Sequence, residues 1–101
     1  DFNIYFASLN HENAWPTYSI YATTDNSSYS VVATNSNTIY NGSDSWNYGQ
    51  SSMKVLIDVD NVSNVKVRVG AVNDGNSSSV RTRGDSTQNL TYLTFTRLGA
   101  T

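Results

Sequence analysis

The chain contains no cysteine, so neither a disulfide framework nor a thiolate metal site is available to it. It has one histidine and one proline, and its only glutamate, Glu12, sits directly beside that histidine, His11. Neighbouring side chains on an extended backbone point to opposite faces, so this pair is a poor acid–base couple. No G-x-S-x-G elbow is present either, and the expectation is a protein that is not an enzyme and carries no cofactor. Six Lys and Arg residues in all and a pI near 4.9 argue against a phosphate-backbone partner, so no nucleic acid is expected. No apolar run approaches the roughly 18 residues of a spanning helix, and no membrane insertion is expected.

What the chain does have is polar and strand-forming. Its 101 residues include 13 Asn, 15 Ser and 11 Thr, and Val outnumbers Leu by 10 to 5. That mixture favours pleated strands and polar turns over helices. Leu, Ile, Val and Phe together number 22, close to the level below which chains of high charge stay unfolded, but the net charge is only −2 and repulsion will not hold the chain open. The length fits one domain spanning 1–101, with a small core that a partner subunit would extend. The chain opens on Asp1 rather than Met and shows no leader pattern, which leads to the expectation of a domain trimmed from a longer polypeptide.

Alternation with a period of two is the dominant signal. Phe2, Ile4 and Phe6 share one face of a first strand, and Tyr18, Ile20 and Ala22 share one face of a second that "TTDNSS" closes. "YSVVAT" and "NTIY" read as one strand interrupted at 35–37 or as two. Met53, Val55, Ile57 and Val59 alternate with Lys54 and Asp58, and Val65, Val67 and Val69 alternate with Lys66 and Arg68. "NDGN" at 73–76 has the chemistry of a tight hairpin turn. "SVRTR" reads as an exposed strand, and "LTYLTFTRL" is strand-like throughout, with Leu93 and Phe95 on one face. Seven or eight short strands separated by turn signals point to an all-β fold, an antiparallel Greek-key β-barrel or sandwich.

Candidate chemistry lies in the loops. "DVDNVSNVKV" begins with Asp58 and Asp60 at ligand spacing, but Val62 fills the third position and the turn glycine is missing, so an EF-hand is excluded and no metal site is assigned. Five N-x-S/T triplets carry little weight in a chain so rich in these residues. Arg83, Gly84 and Asp85 spell an integrin-type tripeptide, but three residues are a weak signal and a polar turn around Gly84 is the preferred reading. The stretch "YNGSDSWNYG" is more unusual, because it sets Trp46, Tyr40 and Tyr48 among turn-forming residues. Sugar rings stack their C–H faces on aromatic rings while their hydroxyls seek fixed donors and acceptors. Trp46 is read as the solvent-accessible floor of such a site, with Asp44, Asn47 and Tyr48 beside it. "NHENAWP" repeats the pattern with His11 and Trp15, and Arg81, Arg83 and Asp85 would add charged contacts. The competing reading has Trp15 and Trp46 folded back as plugs at the ends of a barrel.

In size, in its cysteine-free pattern rich in Asn, Ser and Thr, and in its ending "YLTFTRLGAT", the chain resembles the head domain of receptor-binding proteins from lactococcal siphophages. The resemblance implies a Greek-key barrel, a homotrimer at the tail tip of the virion, and attachment to host cell-wall saccharide. Sugar sites in that family use Trp, His, Asp and Arg near boundaries between protomers. Here both tryptophans lie in the first half, whereas Arg81, Arg83 and Arg97 lie in the second. The alternatives are a protein-binding adhesion module using the Arg83–Asp85 loop, and a carbohydrate-binding module of a larger enzyme.

Overall fold

The computed structural model describes residues 1–8, 15–40, 45–73 and 80–99, with Ser8 and Asn73 described by their backbone alone. Within them the chain is all-β. Seven strands appear in the order β1 (Phe2–Ser8), β2 (Pro16–Thr23), β3 (Ser30–Ser36), β4 (Asn47–Met53), β5 (Lys66–Asn73), β6 (Arg81–Thr82) and β7 (Tyr92–Leu93). They form two antiparallel sheets, β4-β1-β6 with β7 also on β1, and β3-β2-β5. The arrangement is sandwich-like and does not close into a barrel. No helix among the described residues is long and apolar enough to cross a membrane.

The core follows from the alternation. Phe2, Ile4 and Phe6 of β1 meet Tyr18 and Ile20 of β2, and Ile39 joins them. Tyr18 receives Phe2 edge-on, with ring centroids 6.1 Å apart, and Phe6 at a tilt, at 6.3 Å. Its hydroxyl is buried and has no hydrogen-bond partner among the described residues. At Gly49, paired across from Phe6, an added Cβ would stand 2.7 Å from Phe6 Cε2. Glycine is therefore needed on β4 to let the Phe6 ring lie across it.

β1 is the spine of its sheet. β4 covers one side along its whole length, while the other side is shared by β6 at Phe6–Ala7 and β7 at Phe2–Asn3. The chain leaves the sheet between β6 and β7, and Thr91 bridges the gap. Its hydroxyl accepts the Tyr5 N–H at 3.1 Å and donates to the Arg83 carbonyl at 2.6 Å. Arg83 N–H in turn donates to the Tyr5 carbonyl at 2.8 Å. In the second sheet the β2–β3 register shifts at Ile20/Tyr21, a bulge that leaves Val32 without an opposite number.

Some expected strands are shorter than their alternation suggested. The 53–59 run keeps half-buried and exposed residues in strict alternation, but only Met53 belongs to β4. Val55 packs on the core, while residues 54–59 pair with no strand among the described residues. The closing segment forms a strand only at Tyr92–Leu93, continued by the backbone bonds between Thr94 and Asp1, and Phe95 is 73% exposed. "SVRTR" contributes just Arg81–Thr82. β3 runs on through Asn35 and Ser36, and Ile39 forms an isolated bridge. The Asp74–Gly75 turn lies outside the described residues.

Candidate functional site

Strand alternation that puts Phe2, Ile4 and Phe6 inward turns Tyr5 and Ala7 to the outer face of β1. Ala7 pairs with Tyr48 of β4 on one side and with Arg81 of β6 on the other. Arg83 lies two residues beyond Arg81 on the same face, held by its N–H bond to the Tyr5 carbonyl. The register thus lays Tyr48, Ala7 and Arg81 in one row across the sheet, with Tyr5 and Arg83 in the next. Because Ala7 projects only a methyl group, the larger side chains around it enclose a cleft of about 350 Å³, lined by Ala7, Trp46, Tyr48, Arg81, Thr82, Arg83 and Gly84. That is within the size range of small-ligand sites.

Two arginine–aromatic pairs form the walls. The Arg81 guanidinium lies 4.9 Å from the centroid of the Trp46 ring, and that of Arg83 lies 5.2 Å from the Tyr48 ring. Both distances are within reach of the attraction between a cation and a ring quadrupole. Tyr48 is stacked on Tyr5 with centroids 5.7 Å apart and planes 12° from parallel. Stacking on Tyr5 fixes the Tyr48 ring, while its own exposure of 49% leaves it open to a ligand. Neither arginine forms an ion pair with a described residue; the described ion pair is Lys54–Asp1 at 3.9 Å. The cleft therefore sets two guanidinium groups, neither ion-paired with a described residue, against flat aromatic surfaces.

Of the residues singled out from sequence, Trp46, Tyr48, Arg81 and Arg83 come together here, although 35 positions separate Trp46 from Arg81. Trp46 is half-buried and stands in the cleft wall. Asn47 faces another task, since its Nδ2 amide donates to the Tyr40 carbonyl at 3.1 Å and ties the two ends of the aromatic loop. Asp85 caps its own turn: one carboxylate oxygen accepts from the Thr87 N–H and hydroxyl, both at 2.7 Å, and from Gln88 N–H at 3.1 Å. Those bonds, led by the Thr87 hydroxyl, hold its pKa below the ordinary carboxylate value. The Arg83–Gly84–Asp85 tripeptide accordingly has its arginine over Tyr48 and its aspartate engaged in a turn. Trp15 is 40% exposed and does not line the cleft. Asp44 and His11 lie outside the described residues.

Four residues in or beside the cleft escaped sequence reasoning as site members. Tyr5 and Ala7 were legible as the outer face of β1, but nothing local marks that face as more than a solvated surface. Thr82 and Gly84 are unremarkable turn and strand residues until β6 is laid against β1. No cluster of three or more His, Asp or Glu residues that would hold a metal occurs among the described residues. Comparison of the chain with protein-family models, with curated proteins and with solved structures finds no match in any of the three.

Proposed function

We propose that the Trp46–Tyr48–Arg81–Arg83 cleft binds a saccharide displayed on a cell surface, and that the domain is a non-enzymatic attachment module. The observation that carries this reading is the pair of arginine–aromatic contacts, at 4.9 and 5.2 Å, standing side by side over the Ala7 floor. A pyranose needs a flat apolar surface for its C–H face and fixed donors for its hydroxyls, and this cleft supplies both. Two cations favour a sugar bearing phosphate or carboxylate, which a guanidinium grips bidentately. The resemblance to phage receptor-binding heads points the same way, toward host cell-wall saccharide, a tail-tip location and homotrimeric assembly. Several weak sites on one assembly would act together, because linked binding events raise avidity without new contacts.

The test is a titration of the domain with purified acidic wall polysaccharide fragments, followed by Trp fluorescence and calorimetry. Saturable binding with an intact polysaccharide at the end is the expected result. Shortened chains would show an enzyme instead. No binding to any acidic or neutral glycan, together with adhesion to integrin-bearing cells that Asp85→Glu abolishes, would favour the protein-adhesion reading.

A further inference from the structure

The three-stranded sheet has an outer face of its own, and strand parity settles what that face carries. Tyr18 and Ile20 point inward on β2, and Val67 of β5 packs on the same core. Tyr21 of β2 and Lys66, Arg68 and Gly70 of β5 therefore point outward. Tyr21 is paired directly with Arg68. The Arg68 guanidinium lies 4.8 Å from the centroid of the Tyr21 ring and 4.4 Å from that of Tyr29, the residue just before β3. At Gly70 an added Cβ would stand 3.3 Å from Tyr21 Cε2, so glycine leaves the Tyr21 ring room to lie against β5. Three of the chain's four arginines stand over aromatic rings, two on one outer face and one on the other.

Charge on this second face has one sign. No residue of β2, β3 or β5 is acidic, while β5 contributes Lys66 and Arg68. Neither forms an ion pair with a described residue, the described ion pair being Lys54–Asp1. In the turn after β2, the Asp25 carboxylate is taken up by Thr23, Ser27 and Ser28. In a chain of net charge −2, an acid-free sheet face with two cations is a local excess that an anion would complement. Contact with two rings also restrains the guanidinium, so less side-chain freedom is lost when it takes a partner. Its N–H donors lie in one plane and match the paired oxygens of a carboxylate or phosphate. Arg68 is exposed and both tyrosines are half-buried, which leaves the cation accessible on a fixed aromatic support.

We propose that Arg68, Tyr21 and Tyr29 form a second ligand site, for an oxyanion carried on a saccharide or polyol chain, with Lys66 adding attraction at longer range. The ligand class rests on the reading of the cleft as a saccharide site; the location does not. The two sites lie on opposite outer faces of a sandwich whose sheets stand about 10 Å apart, so one short fragment does not occupy both. A single domain therefore holds two segments of wall polymer, and long chains are retained more firmly than short ones.

Nuclear magnetic resonance of the ¹⁵N-labelled 101-residue chain reads the two sites separately. The probes are tetragalacturonate and a glycerol-phosphate tetramer, which bear their charge as carboxylate and as phosphodiester. The Trp46 indole N–H reports on the cleft, and the Gly70 amide and Arg68 Nε–H report on the second site. Saturable shifts at Gly70 and Arg68 are expected with at least one probe, and that probe identifies the acid. Arg68→Gln should weaken the Gly70 response at least about tenfold, the scale of a lost hydrogen bond to a charged group. Tyr29→Ala, which releases the guanidinium, should weaken it about two- to fivefold. Both variants should leave the midpoint of the Trp46 response unchanged, and Arg81→Ala/Arg83→Ala should do the reverse. Gly70 and Arg68 resonances unmoved by either probe at about 10 mM, tenfold above a millimolar Kd, would overturn the proposal. So would a Gly70 response that survives Arg68→Gln. Movement at Gly70 with a silent Trp46 would instead reject the cleft as a saccharide site and leave this one standing.

Discussion

Replacing Gly49 by alanine tests whether β4 packs against β1 as described, with the Phe6 ring lying across the glycine. The new methyl group would stand 2.7 Å from Phe6 Cε2 and 3.3 Å from two further ring carbons. Carbon atoms prefer about 3.5–4.0 Å, so the ring must retreat by nearly 1 Å. It has little room to do so: Phe6 is 1% exposed and lies against Tyr18. Overpacking of this kind costs about 1–3 kcal/mol. Removing glycine's freedom from the unfolded chain offsets roughly 0.4–1 kcal/mol, since Gly49 does not occupy positive φ. The net loss should be about 1–2 kcal/mol, which for a domain of this size lowers Tm by about 5–15 °C. Thermal and urea unfolding followed by far-ultraviolet circular dichroism would measure it. Phe6→Leu made in the Gly49→Ala background should cost less than in the wild type, with a coupling of about 0.5 kcal/mol or more. A Gly49→Ala protein as stable as the wild type, with no coupling to Phe6, would refute the packing of β4 against β1.

Three other outcomes follow from the same coordinates. Tyr18→Phe removes a buried hydroxyl without a described partner, so it should raise stability by about 1 kcal/mol; a fall of that size in urea titration would mean that the hydroxyl is bonded. Asp25 accepts from Ser28 N–H at 2.8 Å, Ser27 N–H at 2.9 Å and the Thr23 hydroxyl at 2.8 Å, and the bonds from Ser28 and Ser27 chiefly hold its pKa far below the ordinary carboxylate range. A carboxylate with a depressed folded pKa stabilises the fold above its unfolded value, near 3.9, and that contribution fades as the pH falls toward the folded value. Asp25→Ala should accordingly lower Tm at pH 7, and the gap to wild type should narrow steadily below about pH 4; a gap independent of pH would contradict the assignment. Tyr5→Ala withdraws the ring on which Tyr48 stacks, and is expected to weaken saccharide binding by about 0.5–1.5 kcal/mol although Tyr5 does not line the cleft; unchanged affinity in calorimetry would show that the stack has no positioning role.

The inward face of β1 was plain from sequence because alternation reports directly on which side chains meet the core. Alternation says nothing of which strand lies alongside, and there the reading of 53–59 went further than the structure. Val55 and Ile57 do turn inward, but past Asp1 no strand among the described residues pairs with them. Site residues divided along the same line. Trp46 and Tyr48 stood out as bulky rings in a turn-rich loop, and Arg81 and Arg83 as closely spaced charges. Their meeting depends on Ala7 pairing with Tyr48 on one edge and Arg81 on the other, a non-local register that no short motif encodes. Asn47 and Asp85 have the right chemistry for sugar, yet local backbone groups claim their side chains, as is common for Asn and Asp beside turns.

The most direct test of the central claim is the affinity of one acidic wall polysaccharide fragment for the wild type, Trp46→Ala and the Arg81→Ala/Arg83→Ala pair, each shown to be folded by circular dichroism. Loss of the indole or of a charge-assisted contact is expected to cost about 1–3 kcal/mol, a weakening of roughly five- to 150-fold. Loss of both arginines should also flatten the salt dependence of binding, since screening acts on the charged contacts. Wild-type affinity in all of these folded variants would contradict the account and place the saccharide elsewhere on the molecule.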